Sequence, residues 1–272
     1  MVVKIDMHTE EIFFYEKAFH KSNIKMRDTH FHDKHELYCL ESGRTKYFID
    51  NEIFLLEPGD MIFVPKNTFH KTVNQDNTDT ERTLFTFDDN DIGEDFSSYI
   101  EWMKSIKFIR LKRDKLHRIQ NILQNIENEN EKRSDGYEKM LMLYFKQILV
   151  LISRYSLEIN HKTSKLYATA ESISKYISEN YQSDLSLENL AQIYSMSPSY
   201  LSRFFKSSTG VGLNEYVNIT RIANAEKMLI ETNMPITQIA NECGFNDSNY
   251  FAAVFKKAKG ITPKKFAILN KK

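Results

Sequence analysis

Short runs in which apolar and polar residues alternate dominate the first third of the chain. They predict strands at residues 36–40, 45–49, 53–56, 61–64 and 83–87. Turn signals separate these runs, namely Ser42-Gly43, Asp50-Asn51 and Pro58-Gly59-Asp60. Several short strands at this spacing are typical of a small barrel or sandwich, so we expect that architecture for the N-terminal region.

The hydrophobic period becomes helical from about residue 113. A first apolar stripe consists of Leu116, Ile119, Leu123 and Ile126. A second stripe, at alternating spacings of three and four, forms a two-heptad seam of Leu141, Tyr144, Ile148, Leu151 and Tyr155. This seam predicts an antiparallel helix pair that carries a dimer contact, because the same helix also has a second apolar face. The alternative is that the stripes of both helices simply cover the barrel.

The last hundred or so residues contain an internal repeat. Its leading pair, Leu190-Ala191, recurs forty-nine residues later as Ile239-Ala240. Past the following turn the offset is fifty, which pairs Leu201 with Phe251, Phe205 with Phe255, Gly210 with Gly260 and Tyr216 with Phe266. Each copy predicts a short helix, a tight turn and a second helix, which is the arrangement of a helix-turn-helix unit.

The outward faces of the two second helices carry the candidate DNA contacts. The first unit offers Ser197, Ser199, Ser202, Arg203 and Lys206, and the second offers Ser248, Asn249, Ala252, Ala253 and Lys256. Arginine can pair bidentately with guanine, asparagine with adenine, and alanine can touch the thymine methyl group. These residue types, followed one turn later by a cation, predict insertion of each helix into a major groove.

The region from about residue 166 to the end resembles the DNA-binding domain of the AraC/XylS family of bacterial regulators. The resemblance rests on Leu190-Ala191, Ser197-x-x-x-Leu201-x-Arg203-x-Phe205-Lys206, Gly210, Ile239-Ala240, Gly244-Phe245, Tyr250-Phe251, Phe255-Lys256-Lys257 and Gly260-x-Thr262-Pro263. It implies two recognition helices in successive major-groove segments on one face of the DNA. Family members often carry arginine where this chain has Ala253, which leaves the second helix poor in hydrogen-bonding readers.

The strand region resembles the paired motifs of the cupin barrel, which regulators of this family commonly use as an effector domain. The first motif contains His30, His32 and Glu36, and the second contains His70, with Asn67 in place of a usual glycine. Because side chains alternate along a strand, the residues of the first motif share one face. Three imidazoles and a carboxylate would suit a divalent metal, and the alternative is a small organic effector in a polar cavity.

Composition adds a charge asymmetry within a neutral molecule. The chain has 37 Lys and Arg against 37 Asp and Glu, but residues 166–272 have 12 against 9. That sign favours nucleic-acid binding by the C-terminal part. The two cysteines, Cys39 and Cys243, lie in apolar segments and indicate a reducing cytoplasm. No apolar run approaches the ~18 residues of a membrane span, and the N-terminus lacks a signal-peptide pattern.

We therefore predict an α+β protein in three parts: a cupin-like sensor at residues 1–110, a helical dimerisation segment at 111–160 and a double helix-turn-helix domain at 161–272. The predicted function is sequence-specific transcription regulation, modulated by an effector or metal in the barrel. The expected partners are double-stranded promoter DNA, the effector and a second copy, with RNA polymerase as a further candidate. Metal-binding cupins include enzymes, but the two helix-turn-helix units in the same chain favour a sensor. The sequence also contains no nucleophile elbow, P-loop or dinucleotide fingerprint.

Overall fold

The computed structural model describes residues 13–21, 34–74, 78–156 and 165–270. The chain opens with strands β1 (Phe13–His20), β2 (His35–Ser42), β3 (Thr45–Ile49), β4 (Glu52–Leu56), β5 (Met61–Val64), β6 (His70–Asn74) and β7 (Thr80–Phe87), and β8 (Phe108–Ile109) follows later. Antiparallel pairing gives two sheets in the orders β1-β7-β2-β5-β8 and β4-β3-β6. The strand-rich N-terminal region and the helical C-terminal region confirm the α+β class.

The two sheets bury alternate residues on their facing sides. Tyr38, Leu40, Tyr47, Phe54 and Ile62 meet in one core between the sheets. The opposite side of the larger sheet contributes a second set, Leu37, Phe63, Phe85 and Phe87, to a core that it shares with helices. Strands β2 and β5 of this sheet are therefore covered on both faces, which explains why nearly all of their residues are buried.

The helices that cover the larger sheet are α1 (Asp89–Ile92), α2 (Ser97–Ile106), α3 (Arg113–Lys132) and α4 (Tyr137–Tyr155). Helices α3 and α4 form a hairpin, and the stripe predicted as a dimer seam lies inside it. Ile148 is 0% exposed and Leu141 is buried, while Tyr144, Leu151 and Tyr155 pack against the same core. Because Leu141 and Ile148 have almost no exposed surface, the prediction that these two residues contact a second copy is wrong, and they cover the barrel, which is the alternative that the sequence left open.

The C-terminal helices are α5 (Lys165–Glu179), α6 (Leu187–Ile193), α7 (Pro198–Thr209), α8 (Leu213–Glu231), α9 (Ile236–Glu242), α10 (Ser248–Lys259) and α11 (Pro263–Asn270). The first unit is α6, its turn and α7, and the second unit is α9, its turn and α10. Both second helices end at a left-handed glycine, Gly210 with φ 78° and Gly260 with φ 74°. Of the helices in the described ranges, none combines the length and the apolar character needed to cross a lipid bilayer.

The two units have separate hydrophobic cores. The core of the second unit is built from α8 to α11 and contains Ile222, Phe251 and Phe255. The core of the first unit contains Leu201 and Phe205, and it also includes Phe48 and Phe69 from the barrel. The smaller sheet is therefore packed against the first unit.

Candidate nucleic-acid interface

The second helix of each unit buries one face and exposes the face that was predicted to read DNA. In α7, Leu201 and Phe205 are fully buried, whereas Ser199, Arg203 and Lys206 are exposed and Ser202 is half-buried. In α10 the same pattern recurs: Phe251 and Phe255 are buried, Asn249, Ala253 and Lys256 are exposed, and Ala252 is half-buried. Both sets of predicted readers thus reach solvent on one helix face.

The residues predicted at the starts of α7 and α10 have different structural roles. The Ser197 hydroxyl accepts a hydrogen bond from the Tyr200 amide at 3.3 Å, so Ser197 caps α7. In the second unit the cap is Asp247, whose carboxylate accepts from the amides of Asn249 and Tyr250 at 2.6 and 3.1 Å. Ser248 is the first residue of α10 and is half-buried.

The exposed face of each second helix that was predicted to read DNA is called its reading face. On the reading face of α7, Arg203 is the side chain with the most hydrogen-bond donors. In the free protein its Nε donates to the Ser199 carbonyl oxygen at 3.2 Å, so the side chain lies back along its own helix. The guanidinium has five N–H donors in a planar fork, and this contact uses one of them. The remaining donors can pair with the two acceptors of a guanine edge.

Two exposed tyrosines were missed by the sequence reasoning. Tyr200 is 51% exposed and Tyr250 is 53% exposed, and they lie at equivalent positions of α7 and α10. The Tyr200 ring stacks on Phe204 at 5.9 Å, and the Tyr250 hydroxyl accepts a hydrogen bond from Asn218 of α8 at 3.0 Å. The fifty-residue offset already paired them, but only the structure shows that both rings face solvent beside the predicted readers.

Arg221 of α8 ties the two units together. Its guanidinium donates to the carbonyl oxygens of Tyr181 and Ser183, both at 2.8 Å, and lies 5.6 Å from the centre of the Phe245 ring. Ser183 precedes the first unit, and Phe245 is in the turn of the second. A half-buried side chain of α8 therefore connects the segment before the first unit with the turn of the second unit.

The candidate effector residues are only partly within the described chain. His30 and His32 lie outside the described residues. Glu36 and His70 are both buried, with 3.6 Å between the Glu36 Oε2 and His70 Nε2 atoms, and the Tyr47 hydroxyl donates to Glu36 Oε1 at 2.8 Å. Burial and the nearby Glu36 carboxylate hold the pKa of Tyr47 well above its usual value. Within the described ranges, no three or more His, Cys, Asp or Glu side chains form a group that could hold a metal.

A buried arginine lies in the same barrel. Arg82 donates from Nε to His20 Nε2 at 3.1 Å and from Nη2 to Glu16 Oε2 at 3.2 Å, and its guanidinium lies 5.8 Å from the centre of the Tyr38 ring. Burial and the charge of Arg82 lower the pKa of His20, which keeps that ring a neutral acceptor. The third nitrogen, Nη1, is buried without a hydrogen-bond partner in the described part of the chain.

Two helix-turn-helix units with equivalent exposed faces, joined to a two-sheet barrel, define a double helix-turn-helix regulator. Comparison with known families agrees: residues 190–267 match the family described as a helix-turn-helix domain, and residues 25–86 match the family described as a cupin domain. The chain therefore combines an AraC-type helix-turn-helix domain in its C-terminal part with a cupin domain in its N-terminal part.

Relatives of this chain include named transcription regulators. It is 24% identical to the HTH-type transcriptional activator RhaR of Mannheimia succiniciproducens over 237 residues, which is 87% of this chain and 86% of the relative. It is 39% identical to the HTH-type regulator YijO of Escherichia coli over 103 residues, or 38% of this chain and 36% of YijO. Among solved structures, ToxT from Vibrio cholerae aligns with a TM-score of 0.38 and 16% identity over 94% of this chain and 98% of ToxT.

Proposed function

We propose that the protein is a sequence-specific transcription regulator whose DNA binding is modulated by an effector in the barrel. The observation that carries the first part is the repeated reading face, with equivalent residues exposed on α7 and α10 above fully buried aromatic cores. The names of the RhaR and RhaS relatives support activation of transcription as the outcome. The expected site of action is promoter DNA in the cytoplasm, with RNA polymerase as a further partner.

The length of the helix that joins the two units is compatible with binding to successive turns of one DNA face. Helix α8, which joins the units, has 19 residues. At about 1.5 Å per residue it is about 28 Å long, comparable with the ~34 Å between successive major-groove segments on one side of B-DNA. Lys206 and Lys256 stand one turn after the readers, where a cation can contact a phosphate.

The barrel interior supports the effector part of the proposal. It contains the Glu36–Tyr47–His70 group and Arg82, whose Nη1 has no hydrogen-bond partner among the residues that the structure describes. A buried N–H without an acceptor is unfavourable by about 1–3 kcal/mol, so a ligand that brought an acceptor oxygen to Arg82 would regain that free energy. A divalent metal held by Glu36, His70 and the two histidines of the first motif is the second candidate.

We also propose that the protein forms a homodimer through the outer side of the α3–α4 hairpin. Leu143 is 60% exposed on α4, and Met140 is exposed one turn before it. These two side chains are available to a second copy, unlike the buried side chains of Leu141 and Ile148.

The proposal is tested by binding-site selection with the full-length protein from random duplex DNA, followed by gel-shift titration. We expect a selected site with two half-sites, and an affinity that falls steeply with salt because phosphate contacts release counterions. Failure to enrich any sequence above random DNA, even at low salt, would refute the proposed function.

A further inference from the structure

The smaller sheet of the barrel is packed against the first reading unit. Phe48 and Phe69 of the barrel contact the Tyr216 ring of α8 at centroid distances of 5.6 and 5.8 Å. On its other side Tyr216 lies 5.6 Å from Phe205, which is a fully buried core residue of recognition helix α7. One tyrosine ring therefore bridges the barrel and the core of the first unit.

The hydroxyl of Tyr216 adds polar contacts to this aromatic bridge. It lies 2.6 Å from Asn51 Oδ1 and 3.0 Å from the Asp50 carbonyl oxygen, and both atoms can accept its proton. These acceptors belong to the tight turn between β3 and β4. Burial raises the pKa of Tyr216 to about 12, so the hydroxyl remains a donor at neutral pH.

Further hydrogen bonds connect the same barrel segment to the first unit and to α5. The ammonium group of Lys46 donates to the carbonyl oxygen of Ser207, near the end of α7, at 2.8 Å. The amide of Ile53 donates to Glu171 of α5 at 2.9 Å, and Ser178 of α5 donates to Asn51 at 2.9 Å. The contact is thus directional as well as apolar.

The second unit differs at the equivalent position. There the counterpart of Tyr216 is Phe266, which packs against Phe255 of its own unit at 5.4 Å and has no hydroxyl. The described core of that unit contains no barrel residue, and the next turn of α11 leaves Ile268 and Leu269 69% and 64% exposed. The repeat therefore keeps the aromatic packing in both copies but adds the polar anchor in one.

We infer that the barrel acts on the first reading unit through an interdomain lock, formed by Tyr216 and the Asp50–Asn51 turn, and leaves the second unit without direct control. This inference rests on the proposed function. Ser199, Arg203 and Lys206 stay exposed while the barrel is docked, so the lock positions the first unit and does not cover its reading face. A change in the barrel would then alter the position in which α7 meets the DNA. Helix α10 would keep its packing against α8 in the core of the second unit.

The lock is tested first without DNA, by hydrogen exchange on the full-length protein. Tyr216→Phe removes only the hydroxyl and makes the position resemble Phe266. We expect about five-fold faster exchange at residues 49–53 and at the start of α8, since a typical hydrogen bond corresponds to a factor of roughly two to twelve in an equilibrium constant. The matched control is Tyr194→Phe, which removes a tyrosine hydrogen bond to Ser172 at 2.9 Å within the same half of the reader.

The restriction to one unit is tested with operator DNA obtained by selection. Coupling between two sites is reciprocal, so DNA bound by the first unit must change exchange in the barrel turn. Crosslinking from Ser199→Cys assigns the half-site under α7, because the native thiols Cys39 and Cys243 are buried. We expect DNA altered under α7 to abolish the change at residues 49–53, and DNA altered under α10 to preserve it.

The outcomes separate the two proposals. Equal exchange at the turn in wild type and Tyr216→Phe, or an equal increase in Tyr194→Phe, would overturn the lock. A change at the turn that depends on the half-site under α10 would overturn the restriction to the first unit. Absence of binding to any DNA would refute the proposed function, and with it the control of DNA binding by the barrel. The exchange experiment without DNA would still test whether the interdomain lock exists.

Discussion

Ser195 and Gly244 occupy equivalent positions in the turns of the two units, and both have a positive φ, 52° and 82°. The left-handed region suits glycine, which has no Cβ, and is unfavourable for most other residues. The second unit therefore has the residue that this turn favours, whereas the first holds a serine in a strained backbone conformation. The same turn geometry is maintained by two different sequences.

This relationship predicts opposite stability changes at the two positions. We expect Ser195→Gly to raise the free energy of unfolding by up to about 1 kcal/mol, because the strain of the left-handed residue is relieved. We expect Gly244→Ala to destabilise by more than about 1 kcal/mol, since a Cβ there would lie 2.6 Å from the Tyr181 carbonyl oxygen. Urea unfolding followed by circular dichroism measures both changes.

Gly260→Ala provides the matched control for the clash at Gly244. Gly260 also has a positive φ, 74°, but a Cβ there would meet no heavy atom within 4 Å. The Gly260→Ala variant therefore measures only the cost of placing a Cβ on a left-handed backbone. Gly244→Ala adds the clash and should be the more destabilising of the two variants. Equal losses in the two variants would show that the approach of Gly244 to Tyr181 and Arg221 contributes nothing.

Helix α4 predicts different results for charges on its two sides. Ile148→Asp would bury a carboxylate without a partner at a position that is 0% exposed, so we expect loss of the folded state. Leu143→Asp lies on the solvent side, and we expect it to stay folded and, if the outer side carries the dimer contact, to sediment as a monomer. A folded, monomeric Ile148→Asp protein would show that the buried stripe faces a second copy after all.

His35 predicts a loss of stability at mildly acidic pH. Its Nδ1 accepts a hydrogen bond from the Lys66 amide at 3.0 Å, and its Nε2 lies 3.1 Å from Asp89 Oδ1, so the fold requires the neutral ring. Burial lowers the pKa of His35 below its usual value. Below about pH 6.5 the histidine becomes protonated in the unfolded chain but stays neutral in the native protein. The free energy of unfolding should therefore fall as the pH falls, by at most about 1.4 kcal/mol per pH unit for this group.

The measurement is urea unfolding at pH values between about 7 and 5, on wild type and on His35→Gln. Glutamine retains a hydrogen-bonding side chain but has no proton to gain in this range, so the variant should show a shallower dependence on pH. His20, whose pKa is also lowered by burial, should account for part of the dependence that remains. An unchanged slope in His35→Gln would exclude His35 as a source of the effect.

Patterns local in sequence predicted much of this molecule. Alternation located β3 and β5 at their observed bounds, and the repeat located both helix-turn-helix units. Alternation did not predict β1, whose sequence FFYEKAFH has apolar residues on both faces. The seam in α4 was identified as an apolar face, but periodicity shows that a face is buried and does not show which surface covers it.

Contacts between distant segments were beyond such patterns. The repeat identified Tyr216 as a core position equivalent to Phe266, yet its hydroxyl contacts Asn51, 165 residues earlier in the chain. Likewise Arg82 lies in an ordinary strand sequence, and only the folded barrel shows that its Nη1 is buried with no hydrogen-bond partner in the described ranges. These features depend on how the parts pack, which no single segment encodes by itself.

The two recognition helices should contribute unequally to sequence reading. Arg203 on α7 can pair bidentately with guanine, whereas the equivalent Ala253 on α10 can give only an apolar contact, which leaves Asn249 as the main direct reader there. We expect Arg203→Ala to weaken specific binding by about 1–3 kcal/mol and to relax preference at one or two base pairs. Asn249→Ala should weaken it less. Gel-shift titration on the selected operator measures both.

Lys256→Ala is the matched control for base reading, because Lys256 stands beyond the readers on α10 as a candidate phosphate contact. It should weaken binding to all sequences alike and reduce the slope of log affinity against log salt by about 1, without changing which bases are selected. The half-site under α10 should accordingly be the less sharply specified one. A repeated selection in which that half is the sharper, and in which Arg203→Ala leaves both halves unchanged, would show that the helices contribute in the reverse order.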